Sequence, residues 1–228
     1  MSKQCPIFGR ALYLDCLDCE ERLCMRKTKY RSLCIGVDQS YKNTGVSVSA
    51  DGILKKVDHI ELEHLPTNSE KRQELRKQLN KICSKLVPQA DKVVCVIERI
   101  RLRSQGFLNI DYIKSIGALN AIVVDVMSSY GITVYSVDTR CWKSQVVGTS
   151  KPMPNKFGVP DEKWPTVRWC ITKGFRDSIL VNMDDSRKSK GTFVKNGSKW
   201  MYDNDASDSA AISMFWFVGE HDKLKQEK

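Results

Sequence analysis

Histidine is scarce in this 228-residue chain: only His59, His64 and His221 occur, and none sits in a recognisable nucleophile motif. That scarcity weakens any Ser/His/Asp or Cys/His reading of catalysis. Long apolar runs are missing too. No stretch approaches the roughly 20 residues a membrane span needs, and the opening MSKQCPIFGR has no hydrophobic signal core. The expectation is a soluble, cytoplasmic protein with no membrane partner. No internal repeat or long low-complexity tract breaks the chain into an array. Acid is short relative to base: 27 Asp and Glu against 37 Lys and Arg leave a net charge of +10, which favours a polyanionic partner. The hydrophobic share of 41% is enough for a packed core, and the length suits one medium domain with a small appendage.

The few acids are placed tellingly. Asp38 closes the apolar run Leu33 to Val37, and Glu98 closes the run Val93 to Ile97, so each carboxylate stands at the C-terminal end of a predicted buried strand. That end of an α/β sheet is where chemistry gathers. Asp205 and Asp208 lie three apart at the start of an apolar stretch that reaches Phe217, which puts both on one face of a first helical turn. The helix dipole favours acids there. A single Asp at a strand end is more often a turn or cap residue; four in these contexts ask for another account. Four carboxylates at one spot repel unless divalent cations neutralise them. Hard oxygen ligands select magnesium or manganese. Two such ions roughly 3.5–4 Å apart support phosphodiester hydrolysis by activated water.

The segments IGVDQSYKNTG, VIER, DTRCWKSQVVG and DASDSAAIS together resemble the RuvC-type Holliday junction resolvases of the RNase H-like superfamily, over about 33–217. The first is similar to that family's opening hairpin, with Thr44 and Gly45 starting the second strand, and the last to its closing helix. The resemblance implies that Asp38, Glu98, Asp205 and Asp208 bind the two metal ions, and that Lys143 is a basic residue near the scissile phosphate. Lys163 is similar to a second such residue, opening the next helix. It further implies cleavage of four-way and related branched DNA to 5′-phosphate and 3′-hydroxyl ends, by a homodimer that nicks two strands symmetrically. The segment TSKPMPNKFGVPDE is longer than in the bacterial enzymes, and a further insertion contains GTFVKNGSKWMY. With the cysteine-rich front end, these departures look most like a phage-type member.

The predicted fold is α/β: an RNase H-like, mixed five-stranded sheet flanked by helices. Residues 1–30 form a small Cys-rich element, and residues 31–228 form the nuclease domain, interrupted by a basic β-hairpin. Strands are expected at 33–38, 44–50 and about 53–62, the last two joined at Asp51-Gly52. Leu75, Leu79, Ile82 and Leu86 recur at helical spacing within 69–87, and Pro88 stops that helix. A strand at 93–98, a helix over about 109–129, a strand at 132–137, a helix near 161–173 and the closing helix from about 205 complete the order.

Nine cysteines in a chain without an export signal suit metal binding better than disulfides. Cys5, Cys16, Cys19 and Cys24, spaced C-x10-C-x2-C-x4-C, have the number for a tetrahedral structural zinc site, against the alternative of unrelated thiols. Cys34 and Cys95 fall inside predicted strands and read as small core residues. Arg99, Arg101 and Arg103 follow Glu98 on a loop ending in Phe107, a side chain suited to stacking on a base or to burial against the next helix. Arg140, Lys143, Lys151, Lys163, Lys195 and Lys199 complete the candidate DNA contacts, the last two on a predicted hairpin turning at Asn196-Gly197. His59 and His64 read as surface residues. Two other functions remain open: an RNase H-fold nuclease for flaps, forks or RNA, and a non-catalytic branched-DNA scaffold. Clustered carboxylates that repel phosphate argue against the scaffold.

Overall fold

The computed structural model describes residues 29–100, 110–154, 160–182, 192–195 and 198–227. The strands are β1 (Tyr30–Asp38), β2 (Asn43–Ala50), β3 (Ile53–Glu61), β4 (Ala90–Glu98), β5 (Thr133–Val137), β6 (Met153–Pro154), β7 (Pro160–Asp161), β8 (Leu180–Asn182), β9 (Thr192–Lys195), β10 (Ser198–Tyr202) and β11 (Lys225–Gln226). The helices are α1 (Asn68–Leu86), α2 (Ile110–Ser129), α3 (Thr139–Trp142), α4 (Trp164–Thr172), α5 (Arg176–Ile179) and α6 (Asn204–Val218).

One six-stranded mixed sheet runs in the order β11-β5-β4-β1-β2-β3. The first three strands form an antiparallel meander, whose second turn places Asp51 at φ 50° and Gly52 at φ 79°. Two consecutive positive φ values suit an Asp-Gly hairpin turn. β4 returns parallel to β1 because α1 carries the chain across the sheet, and β5 lies parallel to β4 after the second crossover through α2. The five predicted strands are all present. The sixth, β11, adds only two residues antiparallel to β5.

Strand alternation sorts the side chains onto two faces. Leu33, Ile35 and Val37 of β1, with Val46, Val48, Cys95 and Ile97, join Leu75 and Leu79 of α1 and Leu119, Val123 and Met127 of α2 in one core. Cys34, Val94, Val96 and Val137 face the other way, against Trp142, Ile212 and Phe215. Gly36, Asp38 and Glu98 share the parity of that second face. α1 starts one residue earlier than its periodicity suggests because Thr67 caps it: its hydroxyl accepts from Glu70 N at 3.2 Å, and Glu70 Oε2 accepts from Thr67 N at 3.1 Å. On α2, Ala121 is exposed and, among the described residues, a Cβ at Gly117 would meet nothing within 4 Å, so this small-residue face does not pack on its own sheet.

α6 lies almost on the backbone of the sheet. A Cβ at Gly36 would stand 2.2 Å from Ser209 O, and one at Gly45 would stand 1.9 Å from Asp205 O. Only glycine permits that approach. The seam is closed by polar contacts between residues fully withdrawn from water: Ser47 Oγ donates to Ser209 O, and the Ser49 and Ser213 hydroxyls lie 2.6 Å apart.

Candidate active site

Asp38 and Glu98 follow by one residue the parallel pair Val37↔Ile97, so they end adjacent strands side by side and point to the α6 face. The first turn of α6 is pressed onto Gly45, the residue paired with Asp38, which brings the Asp205 backbone to that end of the sheet. The electrostatics report the convergence. Burial first, then the charges of Glu98, Asp208 and Asp205, push the Asp38 carboxyl well above the usual carboxylate range, and Lys163 opposes them. Burial likewise raises Glu98; a Thr139 hydrogen bond lowers it, Asp208 raises it, and Lys163 and Lys143 lower it. The charges of Glu98, Asp205, Asp208 and Lys163 are therefore all felt at Asp38, and that of Lys143 at Glu98.

Each acid is held by its own neighbours. Glu98 Oε1 accepts from Thr139 Oγ1 at 2.7 Å and Glu98 Oε2 from Trp142 Nε1 at 3.3 Å, so both oxygens are oriented by α3. Asp138 caps that helix by accepting from Arg140 N at 2.9 Å. Gln39, next to Asp38, donates its amide to Asn120 of α2. Asp205 Oδ1 accepts from Asn204 Nδ2 at 2.7 Å. Asp208 is 2% exposed; its Oδ2 meets Lys163 Nζ at 2.9 Å, while its Oδ1 has no hydrogen-bond partner among the described residues. The Lys163 ammonium is held charged well above its ordinary range, by Asp208 most of all.

Among the described residues no three such side chains are drawn in tightly enough to hold an ion as they stand. Lys163 and Lys143 both set positive charge against these acids. The donor set nevertheless suits a hard cation: all are carboxylate oxygens. The bare Asp208 Oδ1 is a buried acceptor of the kind that asks for a positive partner.

No family model matches the chain, and no curated protein matches it in sequence. Solved structures do. Thermus thermophilus RuvC in complex with a Holliday junction substrate aligns with a TM-score of 0.54 at 11% identity, over 86% of this chain and 99% of that one. A second Thermus thermophilus RuvC structure aligns at 0.52, also at 11% identity and with the same coverage. The fold is that of RuvC. A third, the yeast mitochondrial Holliday junction resolvase Ydc2, aligns at 0.45 and 13% identity, over 83% of this chain and 78% of that one, too low to add to the assignment.

Within this RuvC fold the remaining sequence-predicted residues separate. Lys143 opens a π-helical turn, Lys143–Val147, its ammonium 5.2 Å from the centre of the Trp142 ring. Arg140 and Lys151 are exposed. Arg99 is engaged elsewhere: its guanidinium donates to Ser136 Oγ, Ser136 O and Lys223 O, each at 3.4 Å, and so ties β5 to the segment before β11. The backbones of β9 and β10 pair antiparallel with Lys199 opposite Val194. The side chains of Lys195 and Lys199, with Arg101, Arg103, Phe107, Cys5, Cys16, Cys19 and Cys24, lie outside the described residues. So does the Asn196-Gly197 turn.

The pairing of His59 with Asp203 was not legible in the sequence. His59, expected at the surface, has a side chain only 17% exposed, its Nδ1 2.6 Å from Asp203 Oδ2. Asp203 in turn caps α6 through Oδ1, which accepts from Ala206 N at 2.9 Å. The pairing joins positions 144 residues apart, so no local signal announces it. Cys34 and Cys95 are fully buried, as expected of core residues.

Proposed function

We propose that this chain is a structure-selective endonuclease that resolves four-way and related branched DNA by metal-assisted phosphodiester hydrolysis. The observation that carries the proposal is the meeting of Asp38, Glu98, Asp205 and Asp208 with Lys163 at the ends of β1 and β4. The four carboxylates would hold magnesium or manganese ions. When bound, such ions supply the charge that activates water and stabilises the departing oxygen of a phosphodiester.

The chain's own residues do the rest. Thr139 and Trp142 fix both oxygens of Glu98, leaving its remaining lone pairs for a cation. Lys143, whose charge is felt at Glu98 from the neighbouring turn, would neutralise a phosphate oxygen. Lys163 balances the charge of Asp208, and its ammonium would be the group to hold a scissile phosphate beside these acids. The surplus of basic residues draws the polyanion in. Homodimerisation through the open Gly117 and Ala121 face of α2 would give two such sites for the two strands of a junction. We further propose a structural zinc ion on Cys5, Cys16, Cys19 and Cys24, to be checked by metal analysis of the purified protein and its Cys→Ser variants.

The test is a panel of matched substrates: an immobile four-way junction, a flap, a linear duplex and an RNA–DNA hybrid. Paired nicks confined to the junction, with ends that a ligase seals directly, are the expected result. Equal cutting of every branched form would instead make the protein a general debranching nuclease. Junction binding that never leads to cutting would leave a scaffold.

A further inference from the structure

Asp161 and Tyr202 have no part in the chemistry just proposed, yet they meet immediately behind Lys163. The Tyr202 hydroxyl donates to Asp161 Oδ2. Asp161 Oδ1 accepts from Lys163 N at 2.8 Å and from Trp164 N at 3.3 Å. One carboxylate therefore caps the start of α4 with one oxygen and is tied to β10 by the other. The Tyr202 side chain is 3% exposed, with the Trp164 ring 6.4 Å away. Burial, and then the hydrogen bond to Asp161, push its phenol upward, so it remains a donor.

Tyr202 directly precedes Asp203, the cap of α6. Consecutive residues thus set the starts of two helices: Tyr202 holds the one that begins beside Lys163, and Asp203 holds the one that carries Asp208. The Lys163–Asp208 contact at 2.9 Å is where those two settings must agree. A lysine side chain has many rotamers, and a fixed backbone at its base limits the range its ammonium explores.

We propose that Asp161 and Tyr202 are positioning residues that clasp the base of α4 and aim the Lys163 ammonium at the carboxylate site. The effect of the clasp on cleavage rests on the nuclease reading above; the clasp itself does not. Tyr202→Phe keeps the ring and removes only the donor, and Asp161→Asn weakens the cap.

The experiment has two arms. In the first, nitrogen-15 NMR of lysine ammonium groups in the metal-free protein gives a slowly exchanging Lys163 signal, assigned by its loss in Lys163→Arg. That signal is expected to broaden away in Tyr202→Phe and in Asp161→Asn while the melting temperature of Tyr202→Phe stays within a few degrees of wild type. In the second, single-turnover junction cleavage by Tyr202→Phe is expected to slow about tenfold with junction affinity changed less than twofold. The same substitution in a Lys163→Ala background is expected to change the residual rate less than twofold. An unchanged ammonium signal in both variants would overturn the clasp. So would an equal slowing with and without Lys163, which would mean that Tyr202 acts by another route. A wild-type protein that cuts no junction would sink the nuclease reading, and the ammonium signal would still decide the clasp.

Discussion

Asp38 is the residue at which stability and the proposed function oppose each other. Burial and three neighbouring acids raise its carboxyl in the folded chain, so as pH rises the unfolded chain gives up this proton first. Between the ordinary value of about 3.9 and the raised folded value, the unfolded chain binds fewer protons and stability falls; above the folded value the whole loss is in place. Lys163 opposes this shift without reversing it. Asp38→Asn is therefore expected to melt higher than wild type at pH 7 in EDTA, by about 2–4 °C for a gain on the order of 1 kcal/mol. The difference should vanish below about pH 4. Thermal melts at both pH values check this, and a variant less stable than wild type at pH 7 would contradict it. Thr139→Val removes one of the two donors that orient Glu98. A loss of roughly 1–2 kcal/mol, read as about a tenfold drop in cleavage rate, is the expected outcome.

At the scale of elements, the contact between α6 and the meander decides whether the acids meet at all. Gly45 lets the first turn of α6 lie against β2, and a methyl group there would collide with the Asp205 carbonyl. Gly45→Ala is expected to cost several kcal/mol and to lower activity at least a hundredfold even where the variant remains folded, as circular dichroism and cleavage assays would show. Much of this architecture was legible in the sequence. The runs ending at Asp38 and Glu98 marked β1 and β4, and helical spacing marked α1, because burial on a regular element leaves a period. The structure carries both strands back to Tyr30 and Ala90, where partly polar residues still pair but break the apolar run. α3 and the π turn after it carry too few residues to show a period. β11 exists only because β5 offers it an edge. The requirement for Gly36 and Gly45, like the His59–Asp203 pair, arises between segments more than a hundred residues apart, where local pattern is silent. The acids stood out as candidates in the sequence because their position at strand and helix ends is local, while their proximity is not.

At the scale of the whole molecule, the chain carries a surplus of ten positive charges although its candidate site is acidic. Under the proposed nuclease reading, attraction of DNA would come from the basic surface, and the acids would need neutralising before phosphate could approach. Junction affinity is expected to fall steeply with salt, by roughly 10³-fold or more between 50 and 200 mM if six or more phosphates are contacted. Binding titrations across that range read the slope directly, and a flat response would mean that the basic surface plays no part. The most direct measurement of the central claim sets wild type against Asp38→Asn on an immobile four-way junction, each in magnesium and in EDTA. Paired nicks by wild type in magnesium alone, with none from the variant in either condition, are the predicted result. Metal-dependent cutting that survives in Asp38→Asn would place the active site elsewhere and contradict the account.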